Sequence, residues 1–224
     1  YYSTRSYYSL EYKMKIYFDG CSWTKGAELE NPEEERYSKL ICNHLGAEET
    51  NLSMSGGSND RIVRNLLVEN NIEEYDLAII QMTFPARTEW YTGVEGKNLW
   101  KRVNPKFNYE RYVHGLKTHH PIILRRKIEK TIGDKFDKHK DFWRYWFMNV
   151  ASEELFDVKE NIHQQTIRNH CKVKGVPLIL STINPWSKLD FDFVLDTKGL
   201  EIHQYGHPTK KSHQKFAKMM LDKI

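Results

Sequence analysis

Residues 15–24 read KIYFDGCSWT, a short apolar run that passes directly into a turn of small and polar residues. The run 15–18 predicts a buried strand, and the turn predicts a loop over 19–26. A hydroxyl-bearing residue, Ser22, stands early in that loop. A buried strand followed at once by a polar, glycine-containing loop is typical of α/β proteins that carry functional groups at the ends of their strands.

The same pattern occurs twice more along the chain. A short strand near 50–52 leads into a loop over 53–60, and the clearest buried strand, 77–81, leads into a loop over 81–90. A further buried strand is predicted at 175–181. Because predicted helices separate these strands, the sequence predicts a three-layer α/β/α sandwich with a mainly parallel sheet. In such a sandwich the loops at the carboxyl ends of the strands meet at one edge of the sheet.

Apolar spacing predicts the helices that connect these strands. One begins at Pro32 and ends at Gly46, where a left-handed residue is expected. A long helix is expected over 142–172, with a break near Asp157, and a last one over 208–223. The helix after the second loop is expected to face inward through four apolar residues: Ile62, Val63, Leu66 and Leu67.

The composition indicates one large domain. The chain has 224 residues, a net charge of +4, 39% hydrophobic residues and 13% aromatic residues, which is enough to build a core. Residues 1–13 are interpreted as an N-terminal extension, and 14–224 as the domain. No apolar run approaches the ~18–20 residues of a membrane span. The start has no apolar signal segment, and three cysteines without a CxxC pair make a disulfide framework unexpected. A cytoplasmic location is the expectation.

The positive charge is concentrated in an aromatic insertion at about 84–140. Thirteen Lys and Arg against four acidic residues give 97–140 a net charge of +9, so the rest of the chain carries −5. One interpretation is a solvated lid or helical insertion whose aromatic residues pack on the domain. The other is a surface for an anionic partner, nucleic acid or an acidic glycan. Three histidines of the insertion lie near one another in sequence, but without a compact ligand spacing they predict no metal site: His114, His119 and His120.

Four loops supply the parts of a nucleophilic site. Ser22 is the candidate nucleophile, and His207, just ahead of the last helix, is the candidate base. The candidate oxyanion donors are the Ser22 N–H, the Gly56 N–H (or Gly57) and the Thr83 hydroxyl. The alternative for each is a structural role in a turn or a helix cap.

Two neighbours of these residues allow more than one interpretation. Arg87 could bind a substrate carboxylate or phosphate, although a structural contact with Glu89 or Trp90 is slightly favoured. Cys21 is interpreted as a small buried residue, not as a thiol nucleophile.

The four loops resemble the motif blocks of the SGNH/GDSL hydrolase superfamily. Gly20-Cys21-Ser22 stands where that family has Gly-Asp-Ser, and residues 51–56 (NLSMSG) look like its second block. Gln81-Met82-Thr83 stands where many members have Gly-X-Asn, and Gly206-His207-Pro208 resembles the block that supplies the base. The resemblance implies a flavodoxin-like three-layer fold and ester or thioester hydrolysis without a metal or other cofactor.

The resemblance covers about 14–83 and 175–224, and it has one clear departure. The family's acidic residue stands three positions before the base, and here that position is Gln204. A dyad without an acid, or an acid supplied from elsewhere, would then be needed. Four acidic residues are near in sequence: Asp190, Asp192, Asp196 and Glu201.

These observations lead to three functional hypotheses. The first is a serine hydrolase that cleaves an acyl ester, such as an O-acetyl group on a carbohydrate, through Ser22 and His207. The second is a catalytically weak member of the same fold that binds an anionic partner through 97–140. The third is an acyltransferase that uses the same site. The sequence does not indicate an oligomeric state.

Overall fold

The computed structural model describes residues 12–91, 100–103, 146, 150–195, 199–204 and 206–224, with the backbone alone for 90, 91 and 100–103. Almost all of the extension 1–13 and most of the insertion 84–140 lie outside these residues, including His114, His119 and His120. The boundaries of the extension and the domain therefore stay predictions.

One parallel sheet forms the centre of the molecule. Its strands are β1 (Lys15–Asp19), β2 (Glu48–Asn51), β3 (Leu77–Met82), β6 (Leu178–Thr182) and β7 (Phe193–Val194). They lie in the order β2-β1-β3-β6-β7, and every neighbouring pair is parallel. An antiparallel hairpin, β4 (Thr88–Tyr91) and β5 (Trp100–Val103), follows β3 outside this sheet. Without the hairpin, the strand order is the flavodoxin-like one, so the predicted sheet is confirmed.

Helices cover both faces of the sheet in the described part of the chain. They are α1 (Ser22–Lys25), α2 (Pro32–Glu35), α3 (Tyr37–Leu45), α4 (Asn59–Arg64), α5 (Glu153–Val173) and α6 (Lys210–Leu221). A π-helical turn, Asn65–Glu69, continues α4, and a 3₁₀ turn, Ile72–Glu74, precedes β3.

The two faces carry separate apolar cores because successive strand side chains point to opposite sides. Ile16 and Phe18 pack with α3 and α6 on one face, where Phe216 is buried. Tyr17, between them in sequence, packs on the other face with Ile62 of α4. Residues 16–18 of the predicted strand are therefore buried on both sides, as a central strand requires, whereas Lys15 at its start is exposed.

Three helix predictions were wrong in detail. The helix expected from Pro32 to Gly46 is interrupted at Arg36, whose ψ of 146° is extended. Its buried guanidinium binds the carboxylates of Glu33 and Glu49, and these ion pairs account for the break. The predicted end at Gly46 is confirmed, with φ of 64°.

The long helix also differs from its prediction. The helix α5 begins at Glu153, where the Ser152 hydroxyl accepts the Leu155 N–H at 3.1 Å. It runs through Asp157 without a break, and residues 142–145 lie outside the described part. Leu67, expected to face inward, is 42% exposed. The π turn rotates the side chains that follow α4 relative to an α-helix, which explains that error.

No helix among the described residues is long and apolar enough to span a bilayer.

Candidate active site

The loop that carries Ser22 is anchored by a buried carboxylate at the end of β1. Asp19 is fully buried and accepts hydrogen bonds from Arg61 Nη1 at 2.8 Å, Asn65 Nδ2 at 2.7 Å and the Gly20 N–H at 2.7 Å. Burial raises the pKa of Asp19, although the Arg61 charge acts in the opposite direction. These contacts bind the start of the loop to α4 and its π turn. Both pack on the face of the sheet that carries Tyr17.

Close backbone approach links this loop to the glycine loop after β2. The Met54 N–H donates to the Gly20 carbonyl at 3.2 Å. A Cβ on Gly57 would lie 3.2 Å from the Gly20 carbonyl oxygen and 2.9 Å from that of Met54, so a glycine is required there. The Gly57 N–H donates to the Met54 carbonyl at 2.8 Å, and Gly56 takes a left-handed φ of 70°. Of the two candidate glycines, Gly56 is therefore the one whose N–H is not used by the turn.

The third loop is held by an amide clamp. Asn59 Oδ1 accepts the Thr83 N–H at 2.8 Å, and Asn59 Nδ2 donates to the Thr83 carbonyl at 2.9 Å. Arg87 Nη1 donates to Thr83 Oγ1 at 2.6 Å, and its guanidinium lies 5.2 Å from the centre of the Phe84 ring. Because Thr83 Oγ1 accepts from Arg87, its own proton is directed to another acceptor.

Arg87 therefore has a structural contact, and its described partners are Thr83 and Phe84 instead of the expected Glu89 or Trp90. The expected partner Glu89 binds Arg64 instead, at 3.0 Å from Nε. The side chain of Trp90 is outside the described set.

Ser22 is the first residue of α1 and is 6% exposed. Its hydroxyl points to Cys21 Sγ at 4.0 Å, and the described contacts contain no hydrogen bond between Ser22 and His207. The N-cap residue Cys21 makes no side-chain capping bond. The Ser22 N–H belongs to the first turn, where N–H groups have no partner within the helix.

Cys21 is fully buried, which agrees with a small buried residue. Its thiol donates to Gln81 Oε1 at 3.3 Å, and the same oxygen accepts from Thr24 Oγ1 at 3.0 Å. Gln81 thus ties α1 to β3. A Cβ on Gly20 would overlap Thr24 Oγ1, so that position also requires glycine.

His207 lies in a tight turn before α6. Its carbonyl accepts the His203 N–H at 2.7 Å, and the Thr209 N–H donates to the Glu201 carbonyl at 3.0 Å. Its Nδ1 lies 2.5 Å from Glu28 Oε2. Glu28 belongs to the loop after α1, so this contact joins the segment of the candidate base to the segment of the candidate nucleophile.

A second contact joins the same two segments. The Trp23 ring stacks on Phe216 of α6, with 6.0 Å between ring centres and 16° between planes. Trp23 directly follows Ser22, and Phe216 lies nine residues after His207. The apolar stack and the Glu28 contact therefore fix the C-terminal segment against α1.

Sequence reasoning did not identify Glu28. The acidic residues considered instead have other roles: Asp192 Oδ2 accepts the Leu180 N–H at 2.8 Å, and Glu201 binds Lys211 at 3.0 Å. Asp190 accepts the Gln164 amide through its backbone carbonyl, at 2.6 Å. Asp196 lies outside the described residues. Glu28 stands in a polar loop with no motif, and its only sequence signal is that it follows Ser22 closely.

A polar cleft of about 420 Å³ adjoins the Glu28–His207 contact. It separates the loop after α1 from the residues after β2, and a small polar ligand would fit it. Its lining is largely charged, amide or hydroxyl side chains: Lys25, Glu28, Glu33, Arg36, Asn51, Ser53 and Ser55. Across the described residues, no cluster of His, Cys, Asp and Glu has the arrangement of a metal site.

Comparison with solved structures supports the fold. A carbohydrate esterase, whose active site is reported to have divergent catalytic and non-catalytic binding functions, is 11% identical with a TM-score of 0.53. That match covers 96% of this chain and 65% of the esterase. TesA (10% identity, 93% and 97% coverage, TM-score 0.41) is also similar. So is EstA from Pseudoalteromonas sp. (12% identity, 93% and 94% coverage, TM-score 0.39).

No protein-family model and no curated protein matches the sequence. The structural likeness to the carbohydrate esterase and the strand order confirm the predicted three-layer fold with a parallel sheet.

Proposed function

We propose that this chain is a serine esterase in which Ser22 is the nucleophile and His207 the general base. The observation that carries the proposal is the convergence of four loops at the carboxyl edge of the sheet. Met54–Gly20, Asn59–Thr83 and Glu28–His207 contacts link these loops pairwise. Convergent nucleophile, base and oxyanion donors are the parts that acyl transfer requires.

In the proposed reaction, Ser22 Oγ attacks the carbonyl carbon of the ester and its proton passes to His207 Nε2. The carbonyl electron pair becomes the oxyanion, which accepts hydrogen bonds from the Ser22 N–H, the Gly56 N–H and the Thr83 hydroxyl. When the intermediate collapses, the C–O bond breaks and His207 returns the proton to the leaving alcohol. Water then attacks the acyl carbon while His207 takes its proton, the bond from the acyl carbon to Ser22 Oγ breaks, and His207 returns that proton to Oγ as the carboxylic acid leaves.

Ser22 and His207 would have to approach within hydrogen-bond distance for this reaction. Catalytic hydrogen bonds are often long in a free enzyme and shorten when substrate binds. Within the described part of the chain, the Ser22 hydroxyl has a weak 4.0 Å contact with Cys21 Sγ, and breaking this contact costs little.

The substrate class we propose is a small acyl ester on a carbohydrate. Of the three similar structures, the one with the highest TM-score, 0.53, is a carbohydrate esterase. The adjoining cleft is polar, with lysine, arginine, asparagine and serine side chains that can hydrogen-bond to sugar hydroxyls. Acyl transfer to a sugar instead of water would use the same residues.

Covalent labelling with a fluorophosphonate, followed by intact mass, tests the proposal directly. We expect one adduct on the wild type, located at Ser22 by peptide mapping, and no adduct on Ser22→Ala. His207→Ala should label at least about 10²-fold more slowly, because its base is lost. Ser152→Ala, which changes a serine at the start of α5 and outside the four loops, is the control and should label like the wild type.

A second assay should follow the release of acetate from acetylated oligosaccharides and from p-nitrophenyl acetate. Turnover that is lost in Ser22→Ala would support esterase chemistry. A folded wild type that gives neither an adduct nor turnover would refute the proposal.

A further inference from the structure

The contact between Glu28 and His207 has the geometry of a carboxylate that orients an imidazole. Glu28 Oε2 lies 2.5 Å from His207 Nδ1, and the two side chains are only 22% and 24% exposed. A carboxylate can only accept a hydrogen bond, so the proton between them belongs to Nδ1. In neutral His207 the other nitrogen, Nε2, is then the acceptor and is available for a hydroxyl proton.

The backbone holds Glu28 in place relative to Ser22. The Ala27 N–H donates to the Ser22 carbonyl at 2.9 Å, and the Leu29 N–H donates to the Gly26 carbonyl at 3.3 Å. Glu28, between them, has a φ of 69°, which is unfavourable for a residue with a side chain. Such a conformation persists where the surrounding structure imposes it, and this occurs often at functional sites. Here it turns the carboxylate toward the C-terminal segment.

The described residues offer His207 no comparable acidic partner. The position three residues before it is Gln204, and the nearby acids Asp192 and Glu201 bind a backbone N–H and Lys211. Glu30, two residues beyond Glu28, is exposed.

We propose that Glu28 is the positioning residue for the base: it holds His207 with Nδ1 protonated and Nε2 facing Ser22, and it stabilises the imidazolium that forms. This inference rests on the proposed function. It assigns the acid to the loop after α1, and the first residue of α1 is the nucleophile, Ser22. Residues 22–28 would thus supply two of the three groups, and His207 alone would come from the C-terminal segment.

The test compares Glu28→Gln, Glu28→Asp and the control Glu30→Gln by the rate of fluorophosphonate labelling between pH 5 and 9. Glu28→Gln keeps the size but removes the charge, and we expect it to slow labelling by about 10²- to 10⁴-fold, as when the acid of a triad is converted to its amide. Glu28→Asp should recover part of the rate because it restores the charge. Glu30→Gln should remain within about twofold of the wild type. Thermal unfolding would verify that each variant is folded.

Ester turnover gives a second kinetic signature. An orienting acid acts on the reacting state, so Glu28→Gln should lower kcat with little change in KM. If Glu28 had only a structural role, restoring the charge with Glu28→Asp would not restore kcat.

A third readout does not require an active enzyme. Nitrogen-15 NMR of the His207 ring at alkaline pH should show the Nδ1–H tautomer in the wild type and a smaller fraction of it in Glu28→Ala. An unchanged tautomer would overturn the inference, whether or not Ser22 is reactive.

The outcomes separate the two proposals. A wild type that is not labelled at Ser22 refutes the proposed function. A wild type that is labelled, together with a folded Glu28→Gln that is labelled at the same rate, refutes only the role of Glu28.

Discussion

The buried ion pair between Asp19 and Arg61 should be one of the strongest single determinants of stability. Their side chains are 0% and 8% exposed, and Nη1 lies 2.8 Å from Oδ1. Removing one partner of a buried pair leaves an uncompensated charge, which costs about 3–5 kcal/mol. We therefore expect Arg61→Met to lower the free energy of unfolding by about that amount at pH 7.5. The exposed carbonyl contact of Arg168 makes Arg168→Met the control, with a change below about 1 kcal/mol.

The stability that Arg61→Met loses should depend on pH through the protonation of Asp19. Burial already raises the pKa of Asp19 while Arg61 lowers it, so the loss of Arg61 should raise the pKa further. A carboxyl group whose folded-state pKa is above its unfolded value favours folding when protonated. Arg61→Met should therefore recover stability as the pH falls from 7.5 through the raised pKa of Asp19, relative to the wild type.

Urea unfolding, followed by circular dichroism at pH 7.5 and pH 5, measures both effects. The double variant Asp19→Asn/Arg61→Met completes a cycle and should be more stable than Arg61→Met alone, because no charge is left buried. A loss below about 1 kcal/mol in Arg61→Met, or a double variant less stable than the single one, would refute this reasoning.

Three further predictions concern other parts of the molecule. Burial lowers the pKa of His213 to about 4 from its ordinary value of 6.5. The unfolded chain therefore binds a proton that the folded state excludes, and the free energy of unfolding should fall by about 1.6 kcal/mol between pH 6.5 and 5. Urea titrations over this range should show a steeper loss of stability with falling pH in the wild type than in His213→Gln. Equal pH dependence in the two proteins would contradict this prediction. Thr83→Val, which keeps the shape but removes the hydroxyl, should lower kcat by about 10²- to 10³-fold with little change in KM. Thr83→Ser, which keeps the hydroxyl, should have a kcat close to that of the wild type. A Thr83→Val variant with wild-type kcat would exclude the hydroxyl as an oxyanion donor. Gly20→Ala should lower the free energy of unfolding by about 1–3 kcal/mol in thermal unfolding, because the added Cβ overlaps Thr24 Oγ1. The double variant Gly20→Ala/Thr24→Ser keeps that oxygen and should not recover the lost stability. A Gly20→Ala variant as stable as the wild type would show that Thr24 moves freely.

The strands and the order of the loops could be predicted because both depend on local patterns. A buried central strand needs consecutive apolar residues, and 16–18 and 77–80 have them. Gly57 stands where backbones approach closely, and Gly20 stands where a Cβ would overlap the Thr24 side chain, so both glycines in these polar loops were informative. The roles of Ser22, His207, Gly56 and Thr83 stay predictions, now with a described geometry.

Other features depend on contacts between distant residues and left no local signal. The break at Arg36 comes from ion pairs with Glu33 and with Glu49 on β2, thirteen residues away. The π turn after α4 has the same apolar residues as a regular helix would. Glu28 meets His207 across 179 residues of sequence, through a left-handed conformation that is unusual for glutamate.

The stack of Trp23 on Phe216 also bears on how the molecule folds. Ser22 and Glu28 are close in sequence, so their arrangement requires little loop-closure entropy, whereas the segment of His207 must dock from the opposite end of the chain. Contacts of such high sequence separation form slowly compared with local ones. During refolding, the chain would therefore gain chemical reactivity only after α6 has packed on Trp23.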